Sequence, residues 1–207
     1  MNTLTDIFYD CPRYTVIDKP AGADSEKLPD LLSAQTGEKH FSVHRLDKDV
    51  SGLMILAKSP EAAGELSKIK YRKEYLALVL GCPDPEEGTF EDFLFHDRAK
   101  NKTYVVKKER KGVKKAVLRY KVLEKGEKAS LVSVLLETGR THQIRVQFAS
   151  RGMPLAGDAK YGGGKGTPAL RAVRLTFTDP FDGEKKDFCL KAVFPGFSAT
   201  QGEETNA

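Results

Sequence analysis

The chain predicts an α+β fold on a largely antiparallel or mixed β-sheet with flanking helices. Three observations carry this: strand-length runs rich in branched and aromatic residues are numerous, helical patterns are few, and the two do not alternate regularly as they would around a parallel sheet.

In order along the chain, RYTVID (Arg13 to Asp18) reads as the first strand, with twelve residues before it. VIDKPAG then bends, because proline restricts itself and its neighbour; Lys19 and Pro20 are expected to shape this turn and not to catalyse. LPDLLSAQTG reads as a short helix stopped by Gly37. Phe41 and Val43 open a short apolar stretch, and LMILAKS (Leu53 to Ser59) is a strand bounded by Ser51 and Gly52. Ser59-Pro60-Glu61 is a helix start with a cap and a proline at the first position, running to about Lys70. KEYLALVL, AVLRYKVLE and SLVSVLLET (Ser130 to Thr138) have strand length and composition, and RAVRLTFT (Arg171 to Thr178) alternates clearly. THQIRVQFASRG (Thr141 to Gly152) reads as a helix, with Thr141 as cap, Ile144, Val146 and Phe148 as apolar contacts and Gly152 as terminator. No repeat or linker divides the chain, so one domain is expected over 1–198, followed by a disordered tail, 199–207.

At 207 residues and 40% hydrophobic content the chain can build a real core. No apolar run approaches the roughly 20 residues of a membrane span, and MNTLTDIFYD lacks the basic flank and apolar core of an export signal. A cytoplasmic protein is expected. Cys11, Cys82 and Cys189 are three and far apart, which favours neither a disulfide framework nor a metal site.

The net charge of +5 hides a partition. Between Arg98 and Lys121 eleven basic residues face one acid, Glu109, a local excess of ten that leaves the remainder near minus five. A solvated charged hairpin accounts for such a run. An isolated basic tract on an otherwise acidic chain also attracts a polyphosphate backbone, with Tyr104 available to stack on a base.

The most informative stretch is HRLDKDVSG, His44 to Gly52, where a charged tetrad ends in Asp47 on a connection between apolar runs. By itself this fits a partly solvated Arg–Asp pair of little energetic weight. A second segment, GRTHQIRVQFASRGMPLAGDAKYGG (Gly139 to Gly163), alters the reading. Taken in order, VIDKPAG, HRLDKDVSG, RKEYLALVLG and GRTHQIRVQ with GDAKYGG resemble the signature segments of the RluA-type pseudouridine synthases, from about Tyr14 to Pro195.

The resemblance implies a bent sheet whose central cleft holds RNA, and an isomerase that detaches uracil at nitrogen 1, turns the ring and rejoins the ribose to carbon 5. It implies Asp47 as the catalytic carboxylate, Tyr75 against the target ring, and Arg145 as the cation that keeps Asp47 ionised; Arg140, a rival for that place, would contact a phosphate of the substrate at the helix start. Arg45 would brace the space vacated by the flipped base. His44, Thr141, His142 and Gln143 would contact RNA, while Gly157, Asp158, Tyr161 and Gly162 would form a supporting loop. No cofactor or metal is required. The expected partner is RNA, ribosomal first and transfer RNA second, with no membrane partner and the protein acting as a monomer; the extra N-terminal RNA-binding module of many relatives is expected to be absent. Two positions depart from the family pattern: Val50 stands where threonine is usual, and Gln147 where histidine is more frequent. The competing class is a noncatalytic RNA-binding or ribosome-assembly factor that keeps the cleft; a hydrolase is weaker, since no GxSxG elbow or phosphate loop occurs.

Overall fold

A computed structural model describes residues 5–198, so the tail expected at 199–207 lies outside the described residues. The chain forms two compact units, one from residues 5–72 with Ala172–Leu190, the other from Lys73–Arg171 with 191–198. In chain order the elements are β1 (Asp6–Asp10), β2 (Tyr14–Lys19), α1 (Leu28–Thr36), β3 (Phe41–Ser42), β4 (Ser51–Ala57), α2 (Pro60–Lys68), β5 (Arg72–Leu80), β6 (Glu87–Asp97), β7 (Lys102–Val106), β8 (Val113–Lys125), β9 (Ala129–Leu136), α3 (Gln143–Ala149), a 3₁₀ turn (Ala159–Tyr161), β10 (Leu170–Thr178) and β11 (Lys185–Cys189). The α+β class is as expected, and every strand register within β1–β2–β4, β3–β4, β10–β11 and β5–β9–β8–β6–β7 is antiparallel.

The first unit orders its strands β1-β2-β4-β10-β11, with β3 also on β4. Its core joins Tyr14, Val16, Leu53, Ile55, Leu175, Phe177 and Phe188 from the sheet to Ala62 and Leu66 of α2. Ser59 accepts the Ala62 N–H at 3.1 Å, so the expected cap forms. The helix ends at Lys68, before the anticipated Lys70, because Ile69 turns extended and packs with Tyr71 on this core. Gly37 closes α1 in the left-handed conformation, as its sequence position required.

The second unit orders its strands β5-β9-β8-β6-β7. Here β7 and the start of β8 fall in what reads as a charged hairpin, and β6, just before that tract, is a strand beyond the sequence expectation. The strands pair antiparallel with β6, and three basic residues of β8 lie beside acids: Lys115 with Glu91 at 2.6 Å, Lys121 with Glu87 at 3.8 Å and Arg119 with Glu137 at 2.6 Å. The opposite face buries Phe90, Leu94, Ala116, Leu118, Tyr120 and Val122. β1 and β11 are likewise strands beyond the sequence expectation.

Helix α3 corrects the reading of Thr141 to Gly152. It spans only Gln143–Ala149, and its cap position is His142 at φ 55°, with no side-chain cap. Thr141 is exposed and contributes its carbonyl to Thr103 Oγ1 at 2.8 Å. Ile144, Val146 and Phe148 are buried as expected, but so are Gln143, Arg145 and Gln147, so the helix is enclosed on all sides. Among the described residues no helix is long and apolar enough to cross a membrane.

Candidate active site

Asp47 opens a tight turn in the first unit, its carbonyl accepting the Val50 N–H at 3.0 Å. Three ties hold this loop. Ser25 Oγ donates to the Leu46 carbonyl at 2.7 Å and accepts the Leu46 N–H at 3.2 Å. The Gly22 N–H donates to the Lys48 carbonyl at 2.8 Å. Lys19, wholly buried, donates from Nζ to the same Lys48 carbonyl at 2.9 Å and to Pro20 O at 3.0 Å. Desolvation pushes the Lys19 ammonium down to about 8, against the pull of Asp49, Asp47 and Asp24. Gly52 ends the loop at φ 118°, where a side chain would run into the Ala172 backbone.

His44 and Arg45, the first two residues of the tetrad, have partners of their own. The His44 ring accepts the Ile55 N–H at Nε2, 3.3 Å, and packs 5.5 Å from the Tyr71 ring. Arg45 is exposed and paired with Glu26 at 2.7 Å. An exposed pair of this kind contributes little to stability.

In the second unit Tyr75 lies on β5 opposite Val134 and is buried. Arg145 is buried too, and its fork is gripped by Asp158, Nε to Oδ2 at 2.7 Å and Nη2 to Oδ1 at 2.8 Å. The resemblance pairs Arg145 with Asp47 and leaves Asp158 as a loop former; in the structure Asp158 holds the guanidinium fork. Its loop closes through Gly163 N–H to Asp158 O at 2.8 Å, and a side chain at Gly163 would collide with the Leu155 carbonyl. In the sequence Asp158 is marked only as an acid in a glycine-rich loop, a weak signal.

The remaining residues of the segment are mainly structural. Gln143 accepts from Thr138 Oγ1 at 2.9 Å and from the Arg140 N–H at 3.0 Å, and donates to Val117 O at 3.1 Å. Its amide ties the loop before α3 to β8. Arg140 donates from Nε to Lys115 O at 3.0 Å while staying exposed enough to reach an anion. His142 Nδ1 lies 2.9 Å from the Tyr161 hydroxyl. Gln147, where the resemblance favours histidine, donates to Asp92 Oδ2 at 2.7 Å, and Arg151 pairs with the same carboxylate at 2.9 Å. Val50 is buried, which suits an apolar side chain there. Among the described residues no group of three or more His, Cys, Asp or Glu side chains is placed to hold a metal.

A family model described as RNA pseudouridylate synthase matches residues 13–150, two thirds of the chain. The chain belongs to the RNA pseudouridylate synthase family. Pseudouridine synthases isomerise uridine in RNA, and the matched segment holds Asp47, Tyr75 and Arg145. Among relatives, an uncharacterized RNA pseudouridine synthase, YlyB, of Bacillus subtilis is 33% identical over 207 residues, covering 88% of this chain and 67% of that protein. The ribosomal large subunit pseudouridine synthase D of Nitrosomonas europaea is 39% identical, covering 86% and 59% respectively. The chain thus spans about three fifths to two thirds of the length of these two synthases. The structure of human RNA pseudouridylate synthase domain containing 4 superposes with a TM-score of 0.75 at 23% identity, covering 90% of this chain and 88% of that one. That of domain containing 1 gives 0.78 at 24%, covering 92% and 84%. Both show the pseudouridine synthase fold, in keeping with the resemblance of the four segments to the RluA-type branch.

Proposed function

We propose that this protein isomerises uridine to pseudouridine in a structured RNA, with residues 1–198 acting as one catalytic domain. Asp47 is the carboxylate that attacks or stabilises the sugar as the bond from C1′ to nitrogen 1 breaks; the ring turns, C1′ bonds to carbon 5, and the proton leaving carbon 5 is balanced by one gained at nitrogen 1. Tyr75 packs against the ring and Arg145, aimed by Asp158, is the cation of the reaction, roles that the resemblance supplies. The observation that carries this is Asp47 displayed on a loop pinned by Ser25, Gly22 and Lys19, within the segment matched by the family model.

The basic tract narrows in the fold to two turns. Lys115, Arg119 and Lys121 are matched by glutamates, whereas Arg98, Lys100, Lys102, Lys107, Lys108, Arg110, Lys111 and Lys114 make no ion pair among the described residues. These eight are free for phosphates. Large-subunit ribosomal RNA is the first substrate we propose, supported by the name of the Nitrosomonas relative, and transfer RNA the second. We assign the protein to the cytoplasm as a monomer, a state that light scattering after gel filtration reads directly.

The test is pseudouridine mapping of unmodified transcribed RNA after incubation with wild type or Asp47→Asn. Sites formed by the wild type alone establish the reaction and the carboxylate. RNA bound equally and unmodified by both proteins sinks the synthase reading in favour of a binding factor.

A further inference from the structure

We propose that Tyr161 is a positioning residue for the isomerisation, its ring holding Arg145 and its hydroxyl tying that arginine to the basic turn between β6 and β7. The inference rests on the synthase reading above, because it concerns Arg145.

One short turn grips Arg145 in two ways. Asp158 holds the fork of the guanidinium, and three residues later the Tyr161 ring centroid lies 5.3 Å from its Cζ. A cation over an aromatic face is attracted by the ring quadrupole, and burial strengthens the attraction. Carboxylate and ring therefore fix the guanidinium from different directions.

The hydroxyl reaches elsewhere. It accepts the Thr103 N–H at 2.8 Å, lies 3.2 Å from the Thr103 carbonyl and 2.9 Å from His142 Nδ1. A phenol has one proton and two acceptor sites. With the Thr103 N–H occupying one site, the proton goes to His142 when Nδ1 is bare; when Nδ1 is protonated it donates to the phenol, whose own proton turns to the Thr103 carbonyl. The same hydroxyl thus serves both tautomers, a versatility phenylalanine lacks. His142 needs the support: it is left-handed at φ 55°, a conformation few residues other than glycine hold unaided, and it lies three residues before Arg145.

Thr103 carries the connection outward. It is buried, donates from Oγ1 to Thr141 O at 2.8 Å and meets His96 Nδ1 at 3.1 Å. Its neighbour Lys102 lies 5.3 Å from the Tyr161 ring and 5.8 Å from the Tyr104 ring, and Lys160 of the 3₁₀ turn donates to Asn101 O at 2.8 Å. Lys100 and Lys102 belong to the eight cations without a carboxylate. A phosphate taken by this turn would pull on the strand that Tyr161 joins to Arg145, so RNA engagement and arginine placement share one phenol.

The test compares Tyr161→Phe, Tyr161→Leu and Lys102→Ala, with the Tyr161→Phe/Lys102→Ala pair, in single-turnover pseudouridine formation at saturating RNA and in RNA binding. Tyr161→Phe should slow the reaction about five- to tenfold, the worth of a buried hydrogen bond, with RNA affinity within about twofold of wild type. Tyr161→Leu should be slower still. Lys102→Ala should lower both rate and affinity alone, but only affinity when Tyr161 is already phenylalanine. Read without turnover, RNA should slow amide exchange across residues 143–149 in wild type and not in Tyr161→Phe. A wild-type rate in Tyr161→Phe, parallel losses of rate and affinity, or equal exchange protection in both proteins would overturn the proposal. A wild type that binds RNA without modifying it would instead sink the synthase reading, and the exchange measurement would still decide the tie.

Discussion

Arg145 and Asp158 face one another as fork to fork, with two bonds of 2.7 and 2.8 Å and both side chains out of solvent. Such bidentate geometry fixes a guanidinium in orientation as well as position. Asp158→Ala removes both bonds from a buried cation and is expected to destabilise the protein by about 3 kcal/mol or more, measured by urea denaturation. Arg145→Lys keeps the charge and loses the fork, so pseudouridine formation should fall sharply; retained activity would argue against a geometric role.

Lys19 has a distinct pH signature. Its folded pKa is lowered to about 8 from the ordinary 10.5, so between these values the unfolded chain binds the extra proton. Stability from this group therefore rises with pH across that window, by roughly 3 kcal/mol in full, and below pH 8 the cost of burying the charge is undiminished. The stability difference between wild type and Lys19→Met should grow accordingly from pH 8 to 10.5. A flat difference would show that Lys19 is not desolvated. Because its Nζ holds the Lys48 carbonyl, the same variant should also slow turnover.

Charge at the two turns is expected to dominate RNA affinity. Replacing Lys107, Lys108, Arg110 and Lys111 with glutamine should reduce the slope of log affinity against log salt by about 0.7 to 0.9 for each phosphate no longer neutralised. The same change at Lys115, Arg119 and Lys121, already matched by glutamates, should alter the slope little. Equal effects from both sets would disprove the partition.

Tyr14 donates to Asp179 Oδ2 at 2.7 Å inside the core of the first unit, with both residues buried. Burial and the adjacent carboxylate push the phenol far above its usual range. Tyr14→Phe leaves a buried carboxylate oxygen short of a donor and should cost about 1 to 3 kcal/mol in thermal or chemical unfolding. A neutral substitution would mean that Asp179 finds another donor.

Where the signal is local, the chain is legible. Gly37 stops α1, Ser59 and Pro60 start α2, and the branched runs of β2, β4, β5, β9 and β10 are strands because branched and aromatic side chains pack well on a pleated sheet. The miss at β7 and early β8 has an equally definite cause. A lysine-rich run looks solvated until its partner strand is in place, as β6 pairs with both β7 and β8. At α3, Thr141 has the chemistry of a cap, yet the pocket around Tyr161 takes His142 instead.

The sequence alone determined the family, the α+β class and the candidate carboxylate, because these depend on residue order and short-range pattern. Only the tertiary structure decided which groups support the site: Lys48 for Lys19, 29 positions away; Asp158 for Arg145, 13 away; and Thr103 for Tyr161, 58 away. The physical reason is that a buried ammonium, guanidinium or phenol must find hydrogen-bond partners where water is excluded, and those partners are chosen by the packing of strands and turns that are distant in the chain.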